Sequence, residues 1–274
     1  METIDFHGLP AVRWTGADGA SAVATLHGAQ LVSWIPAGGG EAFYVSERSA
    51  FERGRPLRGG VPVVFPQFGE RGPLPHHGFV RTMDWRVASG EGSRVVFALE
   101  SSPQSRKLWA HEFALELAVT LGGAGLDIEL YVRNSGKGSF SFNAALHTYF
   151  RVADAQAARL GGLKGTAYVD RSPPETGIEA REWVTARRAI DRVYLSAPHE
   201  THLEDAGRRL AIAQRGFPDT VVWNPGRDAT KPDLPPDGYR HMLCVEAAAF
   251  NAPIVLSAGN EWTGGQSIVA TVKR

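Results

Sequence analysis

Two arginines stand in neighbouring stretches punctuated by glycine and proline. Arg58 opens RGGVPVVFPQFG, Arg58 to Gly69, and Arg81 lies within HHGFVRTMDW, His76 to Trp85. A guanidinium is a rigid, permanently charged fork, so two of them converging on one spot would match the oxygens of a phosphate with paired, charge-assisted hydrogen bonds. Each arginine alone reads equally well as a solvated surface charge. Gln67 and His77 sit in the same stretches and offer hydrogen bonds to sugar hydroxyls, although a histidine among aromatics also serves as a satisfied structural residue. A lone histidine and a lone glutamate come much later, His147 in ALHTYF and Glu246 in CVEAAAF. These types together describe a sugar-phosphate site with a separate acid/base pair.

The elements that would carry the pair are strands. In SFSFNAALHTYF, alternation puts Asn143, Ala145 and His147 on one face and Phe142, Ala144 and Leu146 on the other. In HMLCVEAAAF, the face of Glu246 also carries Met242, Cys244 and Ala248, an apolar setting that raises a carboxylate's pKa unless hydrogen bonds or positive charge offset it. Such a glutamate is either catalytic or a buried carboxylate holding a loop amide. Asp191, opening DRVYL, reads as a turn or cap residue unless the fold brings it to His147. Trp109 and Trp223 read as core rather than as sugar-stacking platforms.

The same short apolar/polar alternation recurs along the chain. EFALELAVTL and LDIELYVRN flank GGAG as a hairpin, and no segment sustains a helical period over any length. With 31 glycines and 17 prolines spread throughout its 274 residues, the chain is expected to be all-β, a single domain over residues 1–274. KPDLPPDG, Lys231 to Gly238, reads as an exposed loop. Lys plus Arg equals Asp plus Glu at 29 each, so no global field draws the chain to nucleic acid or an anionic membrane, and any anion binding is local. The single cysteine, Cys244, excludes an internal disulfide framework. With no apolar run of membrane length and no leader pattern after Met1, a cytoplasmic monomer is expected. HETH, with His199 and His202, lacks the spacing of a helical zinc site. GGAG and GKG fit no nucleotide loop, and no GxSxG elbow occurs.

In their order, RGGVPVVFPQFG, HHGFVRTMDW, SRKLWAHEF, NAALHTYFRV, DRVYL, VVWNPG and CVEAAAF resemble the D-hexose-6-phosphate mutarotases, the glucose-6-phosphate 1-epimerase branch of the aldose 1-epimerase superfamily. The resemblance runs from about Ala24 to Val272. It implies a galactose-mutarotase-like β-supersandwich and interconversion of the α and β anomers of glucose 6-phosphate. It makes His147 the general acid and Glu246 the general base, Arg58 and Arg81 phosphate binders, and Gln67, His77 and Asp191 residues that contact or orient the sugar. No metal, nucleotide or redox cofactor is implied, and the partner is a small sugar phosphate. An epimerase of unphosphorylated aldoses and a non-catalytic carbohydrate-binding protein remain the alternatives, since folds do not fix functions. Phe65 stands where the family run has tryptophan, and Gly226 where an aromatic often follows WNP. Both departures bear on the wall of the pocket.

Overall fold

The hairpin expected from the alternating runs is present, Phe113–Gly122 paired antiparallel to Gly125–Asn134. Leu115, Leu117, Val119 and Leu121 of one strand and Leu126, Ile128, Leu130 and Val132 of the other all enter the main core, as period-two patterning requires. A computed structural model describes residues 1–272. The strands form three antiparallel sheets, of four, eight and nine strands. The four-stranded sheet is a meander of Glu2–Phe6, Leu9–Thr15, Ser21–Thr25 and Leu31–Ile35. The nine-stranded sheet is built around Gly125–Asn134 and Glu261–Val272. The eight-stranded sheet is centred on the long strand Met242–Leu256, flanked by Asp219–Asn224 and Phe140–Leu146.

One apolar cluster, running from Val12 to Ile268, takes side chains from all three sheets. The molecule is therefore a single-domain β-supersandwich. Phe142, Ala144 and Leu146 point into this cluster, as do Leu243, Val245, Ala247 and Ala249. Ala145 and Ala248 lie in a separate cluster on the opposite face of the same sheet, and Met242 and Cys244 lie in another. The alternation read from the sequence thus holds on both strands. It leaves His147 and Glu246 on the face turned away from the main core.

The two family departures do not reach that face. Phe65 is fully buried in the main core, against Trp109, Phe113 and Phe142. Gly226 has φ of +73°, and a Cβ there would lie 2.7 Å from the Ala189 nitrogen, so the close approach of that turn excludes an aromatic. Among the described residues, no helix is long and apolar enough to cross a membrane.

Candidate active site

Register brings the two expected chemical groups together. Leu146 faces Ala247 on the central strand, and Tyr149, opening Tyr149–Arg151, faces Cys244 of the same strand. The residues between, His147 and Thr148, therefore fall opposite Glu246 and Val245. Across the sheet, Glu246 pairs in register with Val221, which pairs with Val193. The neighbouring row runs Tyr149, Cys244, Trp223, Asp191. Side chains in such rows touch because cross-strand neighbours on one face lie only about 5 Å apart. Residues separated by nearly a hundred positions thus become adjacent.

His147 Nε2 lies 3.4 Å from Glu246 Oε1, and the two residues are 6% and 1% exposed. Neither Nδ1 of His147 nor Oε2 of Glu246 has a hydrogen-bond partner among the described residues, so Glu246 holds no loop amide. Burial pushes the Glu246 carboxyl well above its ordinary range, Asp191 adds to this, and Arg171 opposes it. Burial pushes His147 well below its ordinary value, helped by the charges of Arg58 and Arg81. Both shifts act in the same direction, favouring the uncharged pair with the proton on Glu246. His147 is held on its other sides by a stacked Tyr149 at 4.8 Å between centroids, and by the edges of His77 and Trp223.

The arginines line the same cleft but differ in state. Arg58 donates from Nε to Asp233 at 3.0 Å and from Nη1 to the Tyr149 hydroxyl at 2.9 Å. Those partners raise its pKa further even though burial opposes this. Arg81 has no carboxylate partner among the described residues. Its Nη2 donates to the His76 carbonyl at 2.7 Å, its Nε is buried without a partner, and burial together with Arg58 pushes it down to about 10. A half-buried guanidinium with no counter-ion carries part of the desolvation cost of a buried charge, which an anion would relieve.

The loops that deliver these arginines depend on glycine. Gly60, two residues after Arg58, has φ of +62°, and a Cβ there would sit 2.1 Å from the Leu31 carbonyl oxygen. Gly78, between His77 and Phe79, has φ of +74°, and its Cβ would sit 2.0 Å from the Phe65 carbonyl oxygen.

His77 lines the cleft. Its Nδ1 accepts from the Gly69 amide at 3.1 Å, which leaves Nε2 as the protonated nitrogen, and burial keeps the ring neutral. Asp191 also lines the cleft, from within the strand Ile190–Tyr194 rather than from a turn, and accepts from Arg171. Gln67 is not among the lining residues. Its amide donates to the Gly69 and Leu74 carbonyls at 2.9 and 3.0 Å and accepts from the Leu74 amide at 3.0 Å. These bonds hold the loop that leads to His77.

Sequence reading missed Tyr149, Arg171, Lys231 and Asp233, and set Trp223 in the core. All five line the cleft, whereas Trp109 packs against the main core as expected. Lys231 and Asp233 come from the proline-rich loop read as exposed, yet Leu234 there is buried and Asp233 is anchored to Arg58. Four permanent or mobile cations, Arg58, Arg81, Arg171 and Lys231, face Asp191 and Asp233, an excess of two positive charges while Glu246 is protonated. A second concavity beside Arg187, Arg188 and Arg227 contains no histidine or glutamate.

His147, Cys244 and Glu246 offer ligand atoms within 4.8 Å of one another, a set that could hold a metal ion by distance. Burial raises the Cys244 thiol well above its ordinary value, with Glu246 adding to the effect, and a thiol binds metal well only as the thiolate. The chemistry of this set therefore suits proton transfer better than metal binding.

A family model described as Aldose 1-epimerase matches residues 10–269. The chain belongs to the aldose 1-epimerase family. Among its relatives in that family is a protein of Cenchrus ciliaris named "Putative glucose-6-phosphate 1-epimerase", 34% identical over 94% of this chain and 83% of the relative. The crystal structure of a "putative mutarotase" from Salmonella typhimurium superposes with a TM-score of 0.91 at 31% identity, covering 99% of this chain and 93% of that one. A galactose mutarotase-like protein from Lactobacillus casei, at 16% identity and TM-score 0.78, covers 95% of this chain and 100% of its own, and shares the fold. Aldose 1-epimerases are isomerases, and the supersandwich of this family member is of the galactose-mutarotase-like type.

Proposed function

We propose that the protein interconverts the α and β anomers of a hexose 6-phosphate, glucose 6-phosphate foremost. The observation that carries the reading is Arg81, a half-buried guanidinium lining the cleft with His147 and Glu246, whose Nε is sealed off without a hydrogen-bond partner and which has no carboxylate partner among the described residues. The excess of two positive charges suits a phosphate monoester dianion, and a neutral aldose would leave it unmatched. The names of the relatives point the same way.

Binding sets the protonation states. A phosphate between Arg58 and Arg81 offsets the two charges that depress His147, and the proton shared within the pair moves from Glu246 to His147. Ionised Glu246 then takes the proton of the anomeric hydroxyl while protonated His147 donates to the ring oxygen. The C1–O5 bond breaks and C1 becomes an aldehyde. Rotation about C1–C2 exposes the other carbonyl face, and reclosure returns the ring proton to His147 and the hydroxyl proton from Glu246. The pair ends in the state in which it began. The neutral His77 donor and the Asp191 carboxylate orient the hydroxyls, and the arginines hold the phosphate so that C1 lies between acid and base.

Saturation-transfer NMR on glucose 6-phosphate measures anomer exchange directly. Exchange well above the spontaneous rate, and a higher kcat/KM than on free glucose, is expected. No acceleration on the phosphorylated sugar rejects the reading, and equal efficiency on both sugars favours an epimerase of unphosphorylated aldoses.

A further inference from the structure

Tyr149 occupies a position that the acid/base pair and the two arginines do not explain. It is 2% exposed, at the start of Tyr149–Arg151, where the chain resumes pairing with the central strand after His147. Its ring stacks on His147 at 4.8 Å between centroids and 9° between planes, and Trp223 meets it edge-on at 6.0 Å. Its hydroxyl accepts from Arg58 Nη1 at 2.9 Å. A phenol has one proton to give, and this one has no acceptor among the described residues although Tyr149 is among the residues that line the cleft. Burial raises this phenol above its ordinary value, so the proton stays on the oxygen.

We infer that Tyr149 is both a binding and a positioning residue: its hydroxyl, fixed by Arg58, donates to an oxygen of the substrate's phosphate, and its ring sets the plane of the His147 imidazole. The inference rests on the reading of the site as one for a sugar phosphate. A rigid aromatic then connects the phosphate clamp to the acid, so that Arg58, the phosphate and His147 are held in one stack. Stacking alone would be served by phenylalanine, whereas the hydroxyl accepts from Arg58 and has its proton left for the phosphate. The two halves separate by substitution.

The test measures binding of inorganic phosphate by calorimetry, which needs no turnover, beside KM and kcat for glucose 6-phosphate. Tyr149→Phe keeps the ring and loses the donor. A charge-assisted hydrogen bond predicts a roughly tenfold weaker Kd for inorganic phosphate and a similar rise in KM, with a much smaller fall in kcat. Tyr149→Met keeps apolar volume and loses the ring, and is expected to lower kcat roughly tenfold below that of Tyr149→Phe. Parental phosphate affinity in Tyr149→Phe overturns the hydroxyl contact. Equal kcat in the two variants overturns the positioning role. If Tyr149→Met does not fold, the His147 imidazole protons decide by NMR: the stack requires an upfield ring-current shift in both the parent and Tyr149→Phe, and its absence removes that half. A parent that binds phosphate yet exchanges no anomers rejects the proposed function and leaves this contact standing. Exchange in the parent with unaltered phosphate affinity in Tyr149→Phe does the reverse.

Discussion

Glu246 is held at a cost to the fold. Its carboxyl lies in an apolar row beside Cys244, with His147 as its near neighbour, Asp191 raising its pKa and Arg171 opposing that rise. Because its folded value is raised, its contribution to stability is full below the unfolded carboxylate value of about 4.3 and is lost as pH rises through the folded value. His147 behaves oppositely: its depressed value gives stability that is present above about 6.5 and lost as pH falls. Glu246→Gln removes the first titration and keeps the second. The variant is expected to lose anomer exchange while becoming more stable than the parent at pH 8, an advantage that shrinks towards pH 5. Urea unfolding at the two pH values checks this, and a variant less stable than the parent at pH 8 refutes it. The faces of His147 and Glu246 were legible because strand parity is a local property, readable from SFSFNAALHTYF and HMLCVEAAAF without a partner strand. Tyr149 and Trp223 were not, since what places them in the cleft is the register of four strands drawn from distant parts of the chain.

At the scale of elements, the strands with clean alternation were legible and the exposed short ones were not. Phe113–Gly122 alternates against the main core, whereas Pro174–Ile178 is mostly exposed and carries no such pattern. The proline-rich loop misled for a different reason. Its composition marks a turn region correctly but says nothing of the reach of Asp233 to Arg58, an interaction spanning 175 positions. Glycine spacing, by contrast, was informative at RGG. Gly60→Ala forces both a left-handed φ and a collision at 2.1 Å with the Leu31 carbonyl, whereas Gly54, at φ +80°, has open space around its Cβ position. Gly60→Ala is expected to cost about 3 kcal/mol or more, and Gly54→Ala about 1 kcal/mol. Denaturant midpoints compare them directly. Similar small losses in both would mean that backbone approach at Gly60 does not fix the loop bearing Arg58.

Across the whole molecule, the charges of 29 basic and 29 acidic residues cancel, so attraction of an anion depends on their arrangement rather than their sum. The cleft achieves this by pairing Arg58 and Arg171 with Asp233 and Asp191 while leaving Arg81 without a carboxylate. Sequence suggested both arginines as equal partners, because spacing carries no information about which one an aspartate from a remote loop will occupy. The all-β class was legible from turn residues and alternation throughout, whereas the division into three sheets follows from long-range pairing. The asymmetry between the arginines makes the central claim testable. The measurement is kcat/KM for glucose 6-phosphate and for free glucose, by saturation-transfer NMR at fixed ionic strength, in the parent, Arg58→Ala and Arg81→Ala. A charged hydrogen bond to phosphate is worth about 1.5–3 kcal/mol, so Arg81→Ala is expected to lose roughly 10- to 100-fold on the phosphorylated sugar, more than Arg58→Ala, with little change on glucose. Parental efficiency of Arg81→Ala on glucose 6-phosphate would contradict the account.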